Sequence, residues 1–275
     1  VTGKPRALVL TGYGLNCDYE TASALELAGA EVSPVHVNLL VSGQVKLDDF
    51  HLLAVIGGFS YADDHGAGVV LANRLATGLG DALTKFVADE KLIIGICNGF
   101  QVIVNLGLLP GFDGDYRGRR VALIANDCGN FQDRWVTLAV EPDSKCVFTA
   151  GIETIDLPIR HGEGKFFAPD EVLERIENQA QVAVRYADAE GRPAQGSWPA
   201  NPNGSLHDIA GICDPTGRVF GLMPHPEAHL HWTNHPAWTR RKEALSRAGE
   251  PLPEGPGPGV RVFQNGIAYL RDRFG

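Results

Sequence analysis

The 275-residue chain has no run of eighteen apolar residues, so no segment is long and apolar enough to span a bilayer as a helix. Its N-terminus, VTGKPRALVLTGYG, lacks the apolar stretch and cleavage site of a secretory signal. Basic residues are in short supply, 24 Lys and Arg against 33 Asp and Glu, and the net charge of −9 argues against a nucleic-acid partner. Five cysteines (Cys17, Cys97, Cys128, Cys146, Cys213) form no C-x-x-C pair, which excludes a zinc ribbon and a disulfide framework and fits a reducing cytoplasm. There is no G-x-G-x-x-G and no G-K-[ST], so no dinucleotide or nucleoside triphosphate site is expected in this chain.

What is present is a chain with 44% hydrophobic residues, enough for one large α/β domain covering residues 1–275. Apolar strands at Ala7–Thr11, Glu31–Val37, Leu52–Ile56 and Leu92–Ile96 alternate with helical periodicity over Asp18–Ala28, Val69–Ala88 and Phe100–Leu106. That alternation predicts a doubly wound, mostly parallel sheet with ligands at the carboxyl ends of its strands. Past Pro110, strands at Arg119–Asn126, Trp135–Val140 and Val182–Tyr186 predict an added, partly antiparallel portion, and Val219–Met223 returns to strand character. The stretch AGEPLPEGPGPG (248–259) is too rich in proline and glycine for regular structure, and 228–259 reads as an insertion or lid before a closing helix over Val260–Phe274.

The chemistry centres on KLIIGICNGFQ (91–101), a strand, a tight Gly-x-Cys-x-Gly turn and a helix. This is the layout of a nucleophile elbow, with the Cys97 thiol at a helix N-terminus where backbone N–H groups and the helix dipole favour thiolate. Alone, the same stretch also describes a small buried thiol after a sheet strand. Far along the chain, MPHPE sets His225 and Glu227 two residues apart between prolines that rule out helix. In an extended segment both side chains share a face, so Glu227 can orient the imidazole and complete a nucleophile, base and acid set. His161 and Glu163, in the glycine-flanked HGEG, fit either a substrate contact or a turn cap. Cys17 reads as a loop residue rather than a ligand. His229, His231 and His235 lie close together but lack an H-E-x-x-H spacing, and no metal site is expected there.

GICNGFQ with MPHPE resembles the class I glutamine amidotransferases, a flavodoxin-like fold. GGFSY, NLGLLPG and HGEGKF place the resemblance with the branch that serves phosphoribosylformylglycinamidine synthases in purine biosynthesis. The resemblance implies Cys97 as nucleophile, His225 as general base and acid, and Glu227 as its orienting partner. It further implies the backbone N–H groups of Gly58 and Asn98 as the oxyanion hole, and Gln101, His161 and Glu163 as contacts to the substrate L-glutamine. The expected activity is glutamine hydrolysis through a cysteinyl thioester. The ammonia would pass to a separate synthase subunit that carries ATP and magnesium, with a small third subunit left open. Ala62 and Ala228 depart from the family's usual glycine and arginine. The alternatives are a glutaminase serving another synthase, and a noncatalytic binding protein on the same fold.

Overall fold

The computed structural model describes residues 3–275; Val1 and Thr2 lie outside them. The first half is a parallel α/β unit. Strand β1 (Arg6–Thr11) leads to α1 (Asp18–Leu27), β2 (Glu31–His36), the short α2 (Val37–Val41), β3 (Leu52–Val55), α3 (Val69–Ala88), β4 (Leu92–Ile96) and α4 (Asn98–Asn105). Every residue of β3 and β4 is buried, as helices on both faces of a parallel sheet require. Asn98 to Val104 of α4 are buried as well, so this helix lies under the rest of the molecule rather than on its surface.

The second half adds β5 (Ala122–Ile124), β6 (Gln132–Val140), β7 (Thr154–His161), β8 (Lys165–Phe167), α5 (Asp170–Asn178), β9 (Val182–Ala187), β10 (Ile209–Cys213) and β11 (Val219–Leu222). The chain closes with α6 (Trp238–Ala248) and α7 (Val260–Phe274). One sheet of nine strands, ordered β2-β1-β3-β4-β11-β10-β9-β6-β7, runs through both halves, with β5 and β8 paired apart from it. The pairs from β2 to β11 are parallel. From β11 to β7 they are antiparallel. The expected doubly wound sheet and its antiparallel addition are therefore one continuous sheet. Its antiparallel half curls back over the parallel half, because β7, last in the order, supplies carbonyl groups to residues that follow β4 and β11: Arg160 O lies 3.6 Å from Cys97 Sγ, and Pro158 O accepts from the His225 N–H at 2.8 Å.

Several elements differ from the sequence expectation. The strand expected over Arg119–Asn126 shrinks to Ala122–Ile124. Residues 157–167, which hold the glycine-flanked HGEG, form the end of β7, a turn and β8. Pro158 hid this strand, and it is tolerated because β7 is an edge strand. The segment MPHPE is not extended throughout: His225 is extended (φ −106°, ψ 94°), but Pro226 starts a 3-10 turn over Pro226–Ala228. Proline suits the first position of such a turn, where its missing N–H costs nothing. Residues 228–259 hold more regular structure than their prolines and glycines suggested, since α6 fills 238–248. No residue of α6 is buried. The excursion is pinned where it leaves and returns, by the Gly257 N–H on Leu230 O and the Gly259 N–H on His229 O.

Candidate active site

Cys97 sits between the end of β4 and the first turn of α4 with φ 51° and ψ −109°, a conformation that L residues rarely adopt. The strained elbow aims its side chain away from the sheet, above the helix N-terminus. Crowding below sets the tight turn: a Cβ on Gly99 would stand 1.8 Å from the Val55 carbonyl oxygen, so only glycine lets α4 pass β3 this closely. The Asn98 N–H opens the helix and has no acceptor within it. Across the cleft, an antiparallel bridge joins Gly58 to Leu15 through the amides of Asn16 and Phe59, which leaves the Gly58 N–H outside the bridge.

His225 and Glu227 are both buried, and Nδ1 of the histidine lies 2.5 Å from Oε1 of the glutamate. Contact across the 3-10 turn thus replaces the shared face of an extended strand, with the same pairing as the outcome. Burial works against the charged imidazole, but the Glu227 carboxylate and the nearby Cys97 sulfur outweigh it and hold His225 well above its ordinary value of 6.5. Its Nε2 has no well-aligned hydrogen-bond partner. Gly57 completes the floor: a Cβ there would stand 2.8 Å from His225 Cε1 and 3.1 Å from Cys17 Sγ. Cys17, expected as a loop residue, is buried at the start of α1 and packs beside the histidine. Sequence spacing offered no sign of that contact.

The remaining expected residues form one network at the side of the cleft. Asn98 accepts from the Ser60 N–H through Oδ1 at 3.2 Å and donates through Nδ2 to Asp63 Oδ1 and Gln101 Oε1, each at 3.0 Å. Gln101 donates to the Glu163 carbonyl at 2.6 Å, and Glu163 Oε2 accepts from the Ala67 N–H at 3.3 Å. Both ends of the Gln101 amide are therefore engaged within the protein, where they tie the turn between β7 and β8 to α4. His161 is buried, and its Nδ1 faces Asn126 Oδ1 at 3.1 Å. Asn126 uses its amide nitrogen on the carbonyls of Asn130 and His161, so its oxygen accepts and His161 carries its proton on Nδ1. Burial, followed by the charge of His225, pushes His161 down to about 3, so it stays neutral with Nε2 as a free acceptor.

Asp63 escaped the sequence reading. It ends a run of left-handed residues, Tyr61 (φ 53°), Ala62 (φ 57°) and Asp63 (φ 54°), and its carboxyl is raised to about 6 by burial and then by the charge of Glu163. The acidic pair Asp63-Asp64, one residue beyond GGFSY, was the available signal. Of the three clustered histidines, His229 and His235 pack against Trp135 with ring centroids 4.8 and 4.7 Å away, and His231 caps a 3-10 turn through the Thr233 N–H.

Residues 4–270 match the CobB/CobQ-like glutamine amidotransferase domain. The chain belongs to this amidotransferase family. The amidotransferase is 46% identical over 266 residues to the phosphoribosylformylglycinamidine synthase subunit PurQ of Methanococcus maripaludis, covering 97% of each chain. It is 43% identical to the subunit of that name in Dehalococcoides mccartyi, covering 98% of each. Among solved structures, PurLQS from Thermotoga maritima aligns over 98% of the amidotransferase and 100% of the matched chain, with a TM-score of 0.70 and 33% identity. Among the described residues, no helix is long and apolar enough to cross a membrane.

Proposed function

We propose that the chain is the glutaminase subunit of a phosphoribosylformylglycinamidine synthase, hydrolysing L-glutamine to glutamate and ammonia for the synthase in purine biosynthesis. The observation that carries this reading is the Cys97 elbow at the head of α4 facing the buried His225–Glu227 pair. The Cys97 thiolate attacks the side-chain amide carbon, and the carbonyl oxygen, now negative, is met by the N–H groups of Gly58 and Asn98. Such a preorganised donor contributes about 3 kcal/mol or more to the transition state. His225, held charged by Glu227, gives its proton to the leaving nitrogen, and the C–N bond breaks to release ammonia and leave a γ-glutamyl thioester. The neutral imidazole then takes a proton from water as the water attacks the thioester, and returns it as the C–S bond breaks.

The carboxylates of Asp63 and Glu163 suit the α-ammonium group of glutamine, and the neutral Nε2 of His161 is a further acceptor for it. Relatives named as synthase subunits support a synthase partner. ATP and magnesium are assigned to that partner, since no phosphate-binding motif occurs here, and a cytoplasmic location follows from the same reading, which leaves a small third subunit open. Reconstitution tests it. With the synthase, ATP and formylglycinamide ribonucleotide, Cys97→Ala should make no product from glutamine yet make product from a high concentration of ammonium salt. Glutamine-dependent synthesis by Cys97→Ala would overturn the assignment. A wild-type chain without glutaminase activity even beside its synthase would favour the noncatalytic binding protein.

A further inference from the structure

Cys17 is a buried thiol for which the hydrolytic mechanism has no use, yet it stands against the histidine on which that mechanism depends. Its sulfur, a ring nitrogen of His225 and a carboxylate oxygen of Glu227 all lie within 4.8 Å of one another. All three residues are at most 4% exposed. Of these residues' polar atoms, His225 Nε2 and Glu227 Oε2 are buried with no hydrogen-bond partner. A thiol, an imidazole and a carboxylate converging with unspent lone pairs is a donor set for a borderline-soft divalent ion. We propose that Cys17, His225 and Glu227 form an inhibitory site for zinc or a similar thiophilic divalent cation.

The geometry is close to what such an ion needs. Ligand atoms bound at about 2.0–2.3 Å in a tetrahedron stand roughly 3.3–3.8 Å apart. Binding an ion at these three donors would open the 2.5 Å contact between His225 and Glu227. The ion replaces protons: the thiol loses one and the imidazole binds as its neutral form. The fourth position is left for water. Occupancy would take both the proton carrier and its orienting acid out of the reaction, so bound metal switches the glutaminase off while leaving the synthase partner's use of free ammonia untouched. That consequence rests on the glutaminase reading; the binding itself does not.

The test therefore begins with binding, in the full-length Cys97→Ala chain, which removes the other nearby thiol. Titration with cobalt(II) should give a thiolate-to-cobalt charge-transfer band at one ion per chain, displaced by zinc. Adding Cys17→Ser should abolish the band and weaken zinc binding at least tenfold. Glu227→Gln in the same Cys97→Ala background should weaken it as well, and circular dichroism should show each variant folded. In the chain that retains Cys97, the zinc concentration giving half-inhibition of glutaminase, relative to each protein's own metal-free rate, should rise at least tenfold on Cys17→Ser. A missing band in Cys97→Ala, or zinc affinity unchanged by Cys17→Ser, would overturn the site. Failure of the glutaminase reading would show separately, as absence of metal-free activity beside the synthase.

Discussion

The backbone N–H of His225 donates to the carbonyl of Pro158 at 2.8 Å, which fixes the histidine that follows the centre of the sheet to the strand at its far edge. The same edge strand places Arg160 O 3.6 Å from the Cys97 sulfur. Cys97 and His225 are thus held against one strand, β7, although 128 positions separate them in the chain.

Glu227→Gln keeps the shape of the orienting side chain and removes its charge. The kcat for glutamine hydrolysis should fall about 10²–10⁴-fold with little change in KM, a smaller loss than for Cys97→Ala. Because the folded protein holds His225 above its ordinary value, the stability this group contributes is fully present below about pH 6.5 and is lost as pH rises through the raised value. In Glu227→Gln that contribution should be smaller and be gone at lower pH. Melting temperature measured against pH for both proteins checks it, and superimposable profiles would contradict the role given to Glu227.

Asp63 responds with the opposite cause. Its carboxyl is raised from 3.8 to about 6, so between those values the folded chain keeps a proton that the unfolded chain has released. Stability should therefore fall as pH rises through this window and level off above it. Asp63→Asn should flatten that part of the curve and raise the KM for glutamine more than it lowers kcat. A melting profile unchanged between pH 4 and 6 would count against the raised carboxyl.

Ala62 holds φ 57° between two other left-handed residues, where the Cβ of an L residue is crowded. The usual glycine of the family meets no such penalty. Ala62→Gly should stabilise the chain by about 0.5–1 kcal/mol, the penalty relieved exceeding the extra entropy of glycine. Denaturant unfolding reads this directly, and a destabilised Ala62→Gly would show that neighbouring contacts, not local sterics, set the turn.

The excursion between Ala228 and Gly259 carries an exposed helix and forms an open pocket of about 520 Å³ lined by Trp232, Leu245 and Pro256 among others. Its base is anchored by His229, which packs against Trp135 and faces the Asp156 carbonyl at 2.8 Å, whereas 249–256 touches little of the core. Replacing 249–256 with a short glycine-serine link should leave unfolding cooperative and shift the melting temperature by only a few degrees. Loss of the cooperative transition would assign the segment to the core.

The chain by itself determined the parallel half of the fold and pointed to the residues proposed to react. Buried parallel strands are written as continuous apolar runs, α3 and α7 as periodic patterns, and the elbow as glycines around Cys97, all local signals that need no partner to be read. The pair His225 and Glu227 was legible because two prolines restrict the backbone between them. Only the tertiary structure decided that β7 curls back to join Cys97 to His225, that Asp63 stands beside Glu163, and that Cys17 lies against His225. Those contacts span tens to hundreds of residues, and their partners are chosen by the curl of the sheet rather than by any spacing along the chain. The edge strand β7 was hidden for the same reason: Pro158 is a break in a central strand and harmless at an edge, and which of the two it occupies is settled only when the sheet is assembled.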